Sequence, residues 1–159
     1  MELRVGIGYD AHALEEGVPL VLGGVAFESL RGLAGHSDGD VVAHALIDAI
    51  LGAANLGDIG SLFPSGDEQY RGASSLDLLW EAYREVREAG WELVNADCVL
   101  VGEEPRIGDV REEMCERLGG ALGVAVETVS VRATTTDRLG FTGRGEGLAA
   151  HAVVLLRRA

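Results

Sequence analysis

The sequence predicts an α/β protein of the α+β kind, in which a small mixed β-sheet has helices packed against it. Length and composition point there: 159 residues, 47% of them hydrophobic and 25% charged, suit a single domain spanning residues 1–159 around one sizeable core. Patterning points the same way, because Val- and Leu-rich strand-like segments interleave with segments that are apolar at helical spacing. There is no internal repeat and no low-complexity tract.

Leu3 to Tyr9, with Val5 and Ile7 apolar, reads as an opening strand, and Pro19 to Gly24 offers it a short partner across a turn at Glu15, Glu16 and Gly17. Asp38 to Leu56 carries Val42, Leu46, Ala49, Ile50 and Ala53 on one helical face, with Ser37 or Asp38 as N-cap and Gly57 beyond its end. Gly57 to Ala73 is rich in Gly, Asp, Ser and Pro and predicts a long loop, a length that usually signals function. Ser74 and Asp77 form a capping box ahead of an amphipathic helix bearing Leu76, Leu79, Trp80, Tyr83 and Val86 and stopped by Gly90. Trp91 to Val101 reads as a strand, and Asp109 to Leu122 as a helix with Val110, Met114 and Leu118 on one side. Val129 to Thr135 and Gly147 to Leu156 complete the strands.

The charge excludes one class of partner. At a formal −13 the chain has no clustered basic surface, so it is not expected to bind nucleic acid. A phosphorylated ligand would meet a repulsive field, to be reversed locally by metal ions, backbone N–H groups and a few placed arginines. No stretch approaches the roughly 20 apolar residues that span a bilayer. The opening Met1 to Gly6 lacks the regions of a signal peptide, so a cytoplasmic protein without membrane attachment is expected. Cys98 and Cys115 lack a CxxC spacing and read as small buried hydrophobes.

Several constellations carry chemistry. Asp10 and His12, at i and i+2, share a face if the first strand persists that far, and His44 lies in the following helix. A carboxylate and two imidazoles suit zinc with one tetrahedral position open, although a turn aspartate and ordinary polar histidines fit the same spacing. Asp40, His44 and Asp48 share a helical stripe, so either aspartate could orient His44, or the stripe is a solvated acidic face. Gly6, Gly8 and Ala11 imitate a dinucleotide fingerprint, but Glu15 to Pro19 leaves no helix to receive a pyrophosphate. His36, Ser37 and Asp38 are consecutive and so cannot form a hydrolase triad, while His36 has no capping duty. Thr134 to Asp137 ends a strand ahead of a glycine-rich stretch with Phe141, Arg144 and Glu146, which suits a phosphate and a hard cation or a plain turn.

Taken together, Gly6 to His12, His36 to Val41 with His44, Leu56 to Gly60 leading to Phe63 and Pro64, and Ala133 to Thr136 followed by Leu139 to Gly147 resemble the signature blocks of the 2-C-methyl-D-erythritol 2,4-cyclodiphosphate synthases. The resemblance covers nearly the whole chain. It implies a homotrimer of α/β subunits with active sites between neighbours. It also implies a lyase of the non-mevalonate isoprenoid route, converting 4-diphosphocytidyl-2-C-methyl-D-erythritol 2-phosphate to the cyclodiphosphate and CMP.

On this resemblance Asp10, His12 and His44 would hold one Zn²⁺ per subunit, and Asp137 a second divalent ion, Mg²⁺ or Mn²⁺, on the substrate diphosphate. The commoner family residue at that last position is glutamate. His36 and Thr135 match residues that stabilise the transition state. Asp58, Ile59 and Gly60 match the contact to the methylerythritol hydroxyls. Asp10, His12, His36, Ser37 and the run Phe63, Pro64, Ser65, Gly66 and Asp67 are also expected to contact substrate, as are Thr134, Thr135, Thr136 and Asp137. The run Gly102, Glu103, Glu104, Pro105 and Arg106 matches the segment enclosing cytosine, with Arg106 where many members carry lysine. Phe141 and Arg144 complete the set, Arg144 and Glu146 matching positions along the trimer axis. A zinc-dependent hydrolase of nucleoside diphosphate compounds and a non-catalytic nucleotide-binding module are the competing readings.

Overall fold

A computed structural model describes residues 1–159. Strand β1 (Leu3–Glu16) is followed by the short strands β2 (Leu20–Leu22), β3 (Val25–Phe27) and β4 (Arg31–Leu33), then helix α1 (Val41–Ala53) and the single turn α2 (Ile59–Leu62). Helix α3 (Ser75–Glu88), strand β5 (Trp91–Val101), helix α4 (Arg111–Leu122), strand β6 (Val129–Thr134), the turn α5 (Gly140–Gly143) and strand β7 (Gly147–Arg158) complete the chain. The main sheet has the order β4-β1-β7-β5-β6, with β5 and β6 parallel and its other pairs antiparallel. This is the mixed sheet with packed helices that the sequence predicts.

Burial explains the layering. Helix α1 is apolar on nearly every side, with Val41, Leu46, Ile47 and Ile50 all buried, so it belongs between the sheet and a second helix rather than at the surface. Helix α3 supplies that cover through Leu78, Leu79, Ala82, Tyr83 and Val86, and the Tyr83 hydroxyl accepts the Leu93 N–H at 3.0 Å. Helix α4 buries Met114, Leu118 and Leu122 and links the parallel strands β5 and β6. The opposite face of the sheet has no such cover: Val5 and Ile7 are each 70% exposed and Val153 45%.

Several expectations need correction. The opening strand runs to Glu16, and its partners are β7 and β4, not the Pro19–Gly24 segment. Leu20–Leu22 instead pairs with Val25–Phe27 in a separate hairpin. Asp40, rather than Ser37 or Asp38, caps α1, because Gly39 turns the chain at φ 73° and Asp40 accepts the Ala43 N–H. The helix ends at Ala53, four-residue α2 lies within the predicted loop, and Asp58 and Ser61 form its capping box. Ser74 makes no side-chain cap bond, so the predicted box with Asp77 is absent; Asp38 accepts the Ser75 N–H at 3.0 Å instead.

Candidate metal centre and cleft

Alternation along β1 places Asp10 and His12 on the face toward α1, where His44 comes up from the helix. One ligand atom from each of the three lies within 4.8 Å of the others. Asp10 Oδ2 is 2.8 Å from His12 Nε2 and 3.0 Å from His44 Nδ1. The two ring nitrogens are 3.2 Å apart.

The donor set fits a divalent ion. His12 Nδ1–H donates to the Ala34 carbonyl at 2.8 Å, so the neutral ring presents the lone pair of Nε2 to the cluster. Lone pairs and a carboxylate oxygen converging at such distances repel one another unless a cation or proton lies among them. With protons rather than a cation among the three groups, burial acts to raise the Asp10 carboxyl, but hydrogen bonds and charge from protonated His12 and His44 outweigh it and hold the group at about 2. The hydrogen bond to Asp10 likewise raises His12 above its ordinary value, against the cost of burial. An imidazole pair and a carboxylate form a borderline donor set of the kind that holds zinc.

The expected supports of His44 are corrected. The Asp40 carboxylate is buried and accepts N–H groups of Gly23, Gly24 and Ala43, while Asp48 accepts the Ile59 N–H at 2.7 Å. Neither meets the ring. Ser75 does, its Oγ lying 2.8 Å from His44 Nε2, with Ser37 Oγ at 3.0 Å.

Over this cluster opens a cavity of about 190 Å³, walled by His36, Ser37, Ile59, Gly60, Phe63 and Ser65 from the predicted set. Tyr70 and Leu78, outside the predicted set, also line it. His36 Nε2–H donates to the Asp67 carbonyl at 2.7 Å, bracing the loop. Asp58, Pro64, Gly66 and Asp67 lie on the flanking segments and are not part of the wall. A larger hollow of about 600 Å³ beside Trp80 and Trp91, at the other end of the sheet, has no histidine or cysteine.

The remaining predicted residues form a second group. Gly102 N–H donates to the Thr134 carbonyl at 3.0 Å, and Thr136 N–H to Glu103 at 3.2 Å, which ties Gly102–Arg106 to Thr134–Asp137. Ala11, Ala149, Val101 and Thr134 lie side by side across β1, β7, β5 and β6. With strands about 4.8 Å apart, the second group therefore stands roughly 10–14 Å from the metal cluster. It contributes nothing to the cavity wall of its own chain. Phe141 is half exposed, and Arg144 pairs with Glu146 at 2.8 Å.

A family model described as the YgbB family matches residues 3–157. The chain belongs to the YgbB family. Among its relatives, the 2-C-methyl-D-erythritol 2,4-cyclodiphosphate synthase of Moorella thermoacetica is 58% identical over 154 residues, 97% of this chain and 94% of that protein. The bifunctional IspDF of Campylobacter jejuni superimposes with a TM-score of 0.96 at 44% identity, over 99% of this chain. The chain spans only 43% of that longer protein. The Plasmodium falciparum IspF CDP complex matches at 30% identity and a TM-score of 0.85, over 98% of this chain and 96% of that one. The family resemblance carried by the signature blocks is thereby borne out.

Proposed function

We propose that the chain catalyses cyclisation of 4-diphosphocytidyl-2-C-methyl-D-erythritol 2-phosphate to 2-C-methyl-D-erythritol 2,4-cyclodiphosphate and CMP. It is an enzyme of the synthase family and serves the non-mevalonate isoprenoid route. The observation that carries the reading is the convergence of Asp10, His12 and His44 beneath a cavity in a chain so similar to named synthases.

In this reaction an oxygen of the 2-phosphate attacks the β-phosphorus of the same molecule, the bond from that phosphorus to the bridging oxygen breaks, and CMP departs with the electron pair. Attacker and target are already tethered, so the protein has to fold the substrate and stabilise charge. Zn²⁺ on Asp10, His12 and His44 would supply Lewis acidity toward a phosphate oxygen, with Mg²⁺ or Mn²⁺ at Asp137 on the diphosphate. Asp58 has one carboxylate oxygen engaged by the Ser61 N–H at 2.8 Å, which leaves the other for the sugar hydroxyls. His36 and Thr135 act on the transferring phosphoryl group, and Gly102–Arg106 encloses the cytosine.

The division of these residues into separate groups favours a homotrimer with shared sites. A cavity of about 190 Å³ is smaller than the roughly 300 Å³ at the low end of ligand pockets, so one chain encloses only part of a nucleotide-sized substrate. A neighbouring copy would supply the Thr134–Asp137 end, and the exposed Val5, Ile7, Tyr9 and Val153 on the uncovered sheet face suit burial against it. Arg144 would then face the trimer axis. A cytoplasmic setting goes with a phosphorylated substrate and product.

Product analysis tests the reading. Cyclodiphosphate with CMP supports it, linear phosphates point to a metal hydrolase, and absence of turnover to a binding module. Asp10 is the only carboxylate lining the cavity and it faces both imidazoles, which leaves no general base to activate water.

A further inference from the structure

The imidazoles of the cluster are oriented by different means. His12 is held by a backbone carbonyl, that of Ala34. His44 is held by side chains: its Nε2 meets the Oγ of Ser37 at 3.0 Å and, closer at 2.8 Å, that of Ser75, a residue without solvent exposure at the first turn of α3.

A hydroxyl has one proton to give. Ser75 gives it to Asp38, since its Oγ donates to Asp38 Oδ1 in a short hydrogen bond. The other oxygen of the same carboxylate accepts the Ser75 N–H at 3.0 Å, and Oδ1 also accepts the Asp40 N–H at 3.1 Å, so Asp38 is fixed from several directions. With its proton committed, Ser75 Oγ can only accept from His44. Nε2 must therefore carry hydrogen, and Nδ1, the nitrogen facing Asp10 and His12, is left with its lone pair.

This arrangement opposes a real competitor. Asp10 Oδ2 lies 3.0 Å from His44 Nδ1 and would by itself draw the ring proton to that nitrogen, the one a metal needs bare. We propose that Ser75, aligned by Asp38, is a positioning residue that fixes the His44 tautomer and ring rotation and so sets the affinity of the cluster for a divalent cation. The proposal rests on the reading of Asp10, His12 and His44 as metal ligands. Orienting groups of this kind typically change metal affinity by about 10–100-fold.

Ser75→Ala, made in a Ser37→Ala background, isolates the effect, because Ser37 Oγ lies 3.0 Å from the same nitrogen and would otherwise remain as an acceptor. The Asp38 bond to the residue-75 N–H uses the backbone and survives, so the tie between the His36–Asp40 loop and α3 remains while the acceptors for His44 Nε2 are lost. Two measurements on metal-stripped protein read the result: competitive titration with Zn²⁺ and with Co²⁺, and ¹⁵N-resolved NMR of the His44 ring under alkaline conditions where the rings are neutral. The wild-type ring is expected to carry its proton on Nε2. The alanine variant is expected to move it to Nδ1 and to bind both ions about 10–100-fold more weakly, with Ser75→Thr restoring the Nε2 tautomer and most of the affinity. A purely structural Ser75 would lower the urea midpoint without changing the tautomer, and that result overturns the proposal, as does unchanged affinity in the alanine variant. Failure of the wild-type protein to bind either ion would instead remove the metal-site reading itself.

Discussion

Gly8 lies so close beneath Ala45 that a Cβ added to it would stand 1.8 Å from the Ala45 carbonyl oxygen. Gly6 has the same relation to Ala49, one helical turn on, at 2.0 Å. The glycines that imitate a dinucleotide fingerprint thus have another purpose: they let α1 approach β1, which brings His44 to Asp10 and His12. Gly8→Ala should lower unfolding stability by about 3 kcal/mol or more, since the clash is with helix backbone rather than a side chain that can turn away. Gly52→Ala, exposed on α1 with its nearest contact at 4.0 Å, should instead stabilise by about 0.5–1 kcal/mol. Urea midpoints for both proteins check this, and a Gly8 variant as stable as wild type would refute the packing argument.

Asp40 makes stability depend on pH. Burial raises its carboxyl from 3.8 to about 6, although the Ala43, Gly24 and Gly23 N–H groups favour the charged form. The folded chain therefore holds this proton more tightly than the unfolded one. Its contribution is fully present below the ordinary value of 3.8 and is lost as the pH rises to about 6. The loss is on the order of 2–3 kcal/mol. Asp40→Asn removes the titration. The variant is weaker overall, because its amide opposes one N–H donor, but the fall in urea midpoint between about pH 4 and about pH 7 should shrink. An unchanged fall would show that other groups carry it.

How much of this could be read from the sequence depended on the distance over which each feature is determined. The strand at Trp91–Val101 is legible with its observed bounds because its alternation, apolar at Trp91 and Leu93 and again at Ala96, Cys98 and Leu100, is a local pattern. Asp10, His12 and His44 were legible as a possible ligand set because strand alternation brings the first pair onto one face, and the family blocks then ranked them. Ser75 was not legible. Its neighbours Ser74 and Asp77 form a plausible local cap, whereas its bond to Asp38 depends on a loop 37 positions earlier folding back onto α3. The stripe of Asp40, His44 and Asp48 misled for the opposite reason, since the helix begins only after Asp40 and each aspartate is engaged by backbone elsewhere. The pairing of β1 with β7 has no local signal, because its partner lies at the far end of the chain.

If sites are shared between subunits, impaired variants should rescue one another. His44→Ala removes a group from one end of the site and Asp137→Ala from the other, so mixed trimers contain some sites with both ends intact. Random mixing of equal amounts gives about a quarter of the sites in that state. At limiting Mg²⁺, co-refolded mixtures should recover activity near that fraction, while His44→Ala alone shows none and Asp137→Ala alone falls well below the mixture. Ile7→Glu, on the uncovered sheet face, should shift sedimentation toward monomer and abolish turnover without loss of helical circular dichroism. Absence of rescue from a mixture that does form mixed trimers would mean that each chain carries a complete site.

The Asp137 position separates a metal role from a turn role. Its backbone is left-handed, at φ 52°, and its N–H donates to Thr135 Oγ1 at 3.3 Å, so a local turn alone could account for an aspartate there. Asparagine tolerates that conformation as well as aspartate does but carries no charge. If Asp137 holds the second ion, Asp137→Asn should fold normally, keep whatever metal Asp10, His12 and His44 bind, and need about tenfold or more Mg²⁺ to reach half its maximal rate, because a carboxylate is the stronger ligand for a hard cation. Asp137→Glu keeps the carboxylate at a conformational cost of about 1 kcal/mol, and its Mg²⁺ curve should stay close to that of the wild-type protein. Initial rates against Mg²⁺ concentration, with zinc content measured alongside, distinguish the roles. An asparagine variant whose Mg²⁺ curve and maximal rate both match wild type would leave Asp137 only its turn.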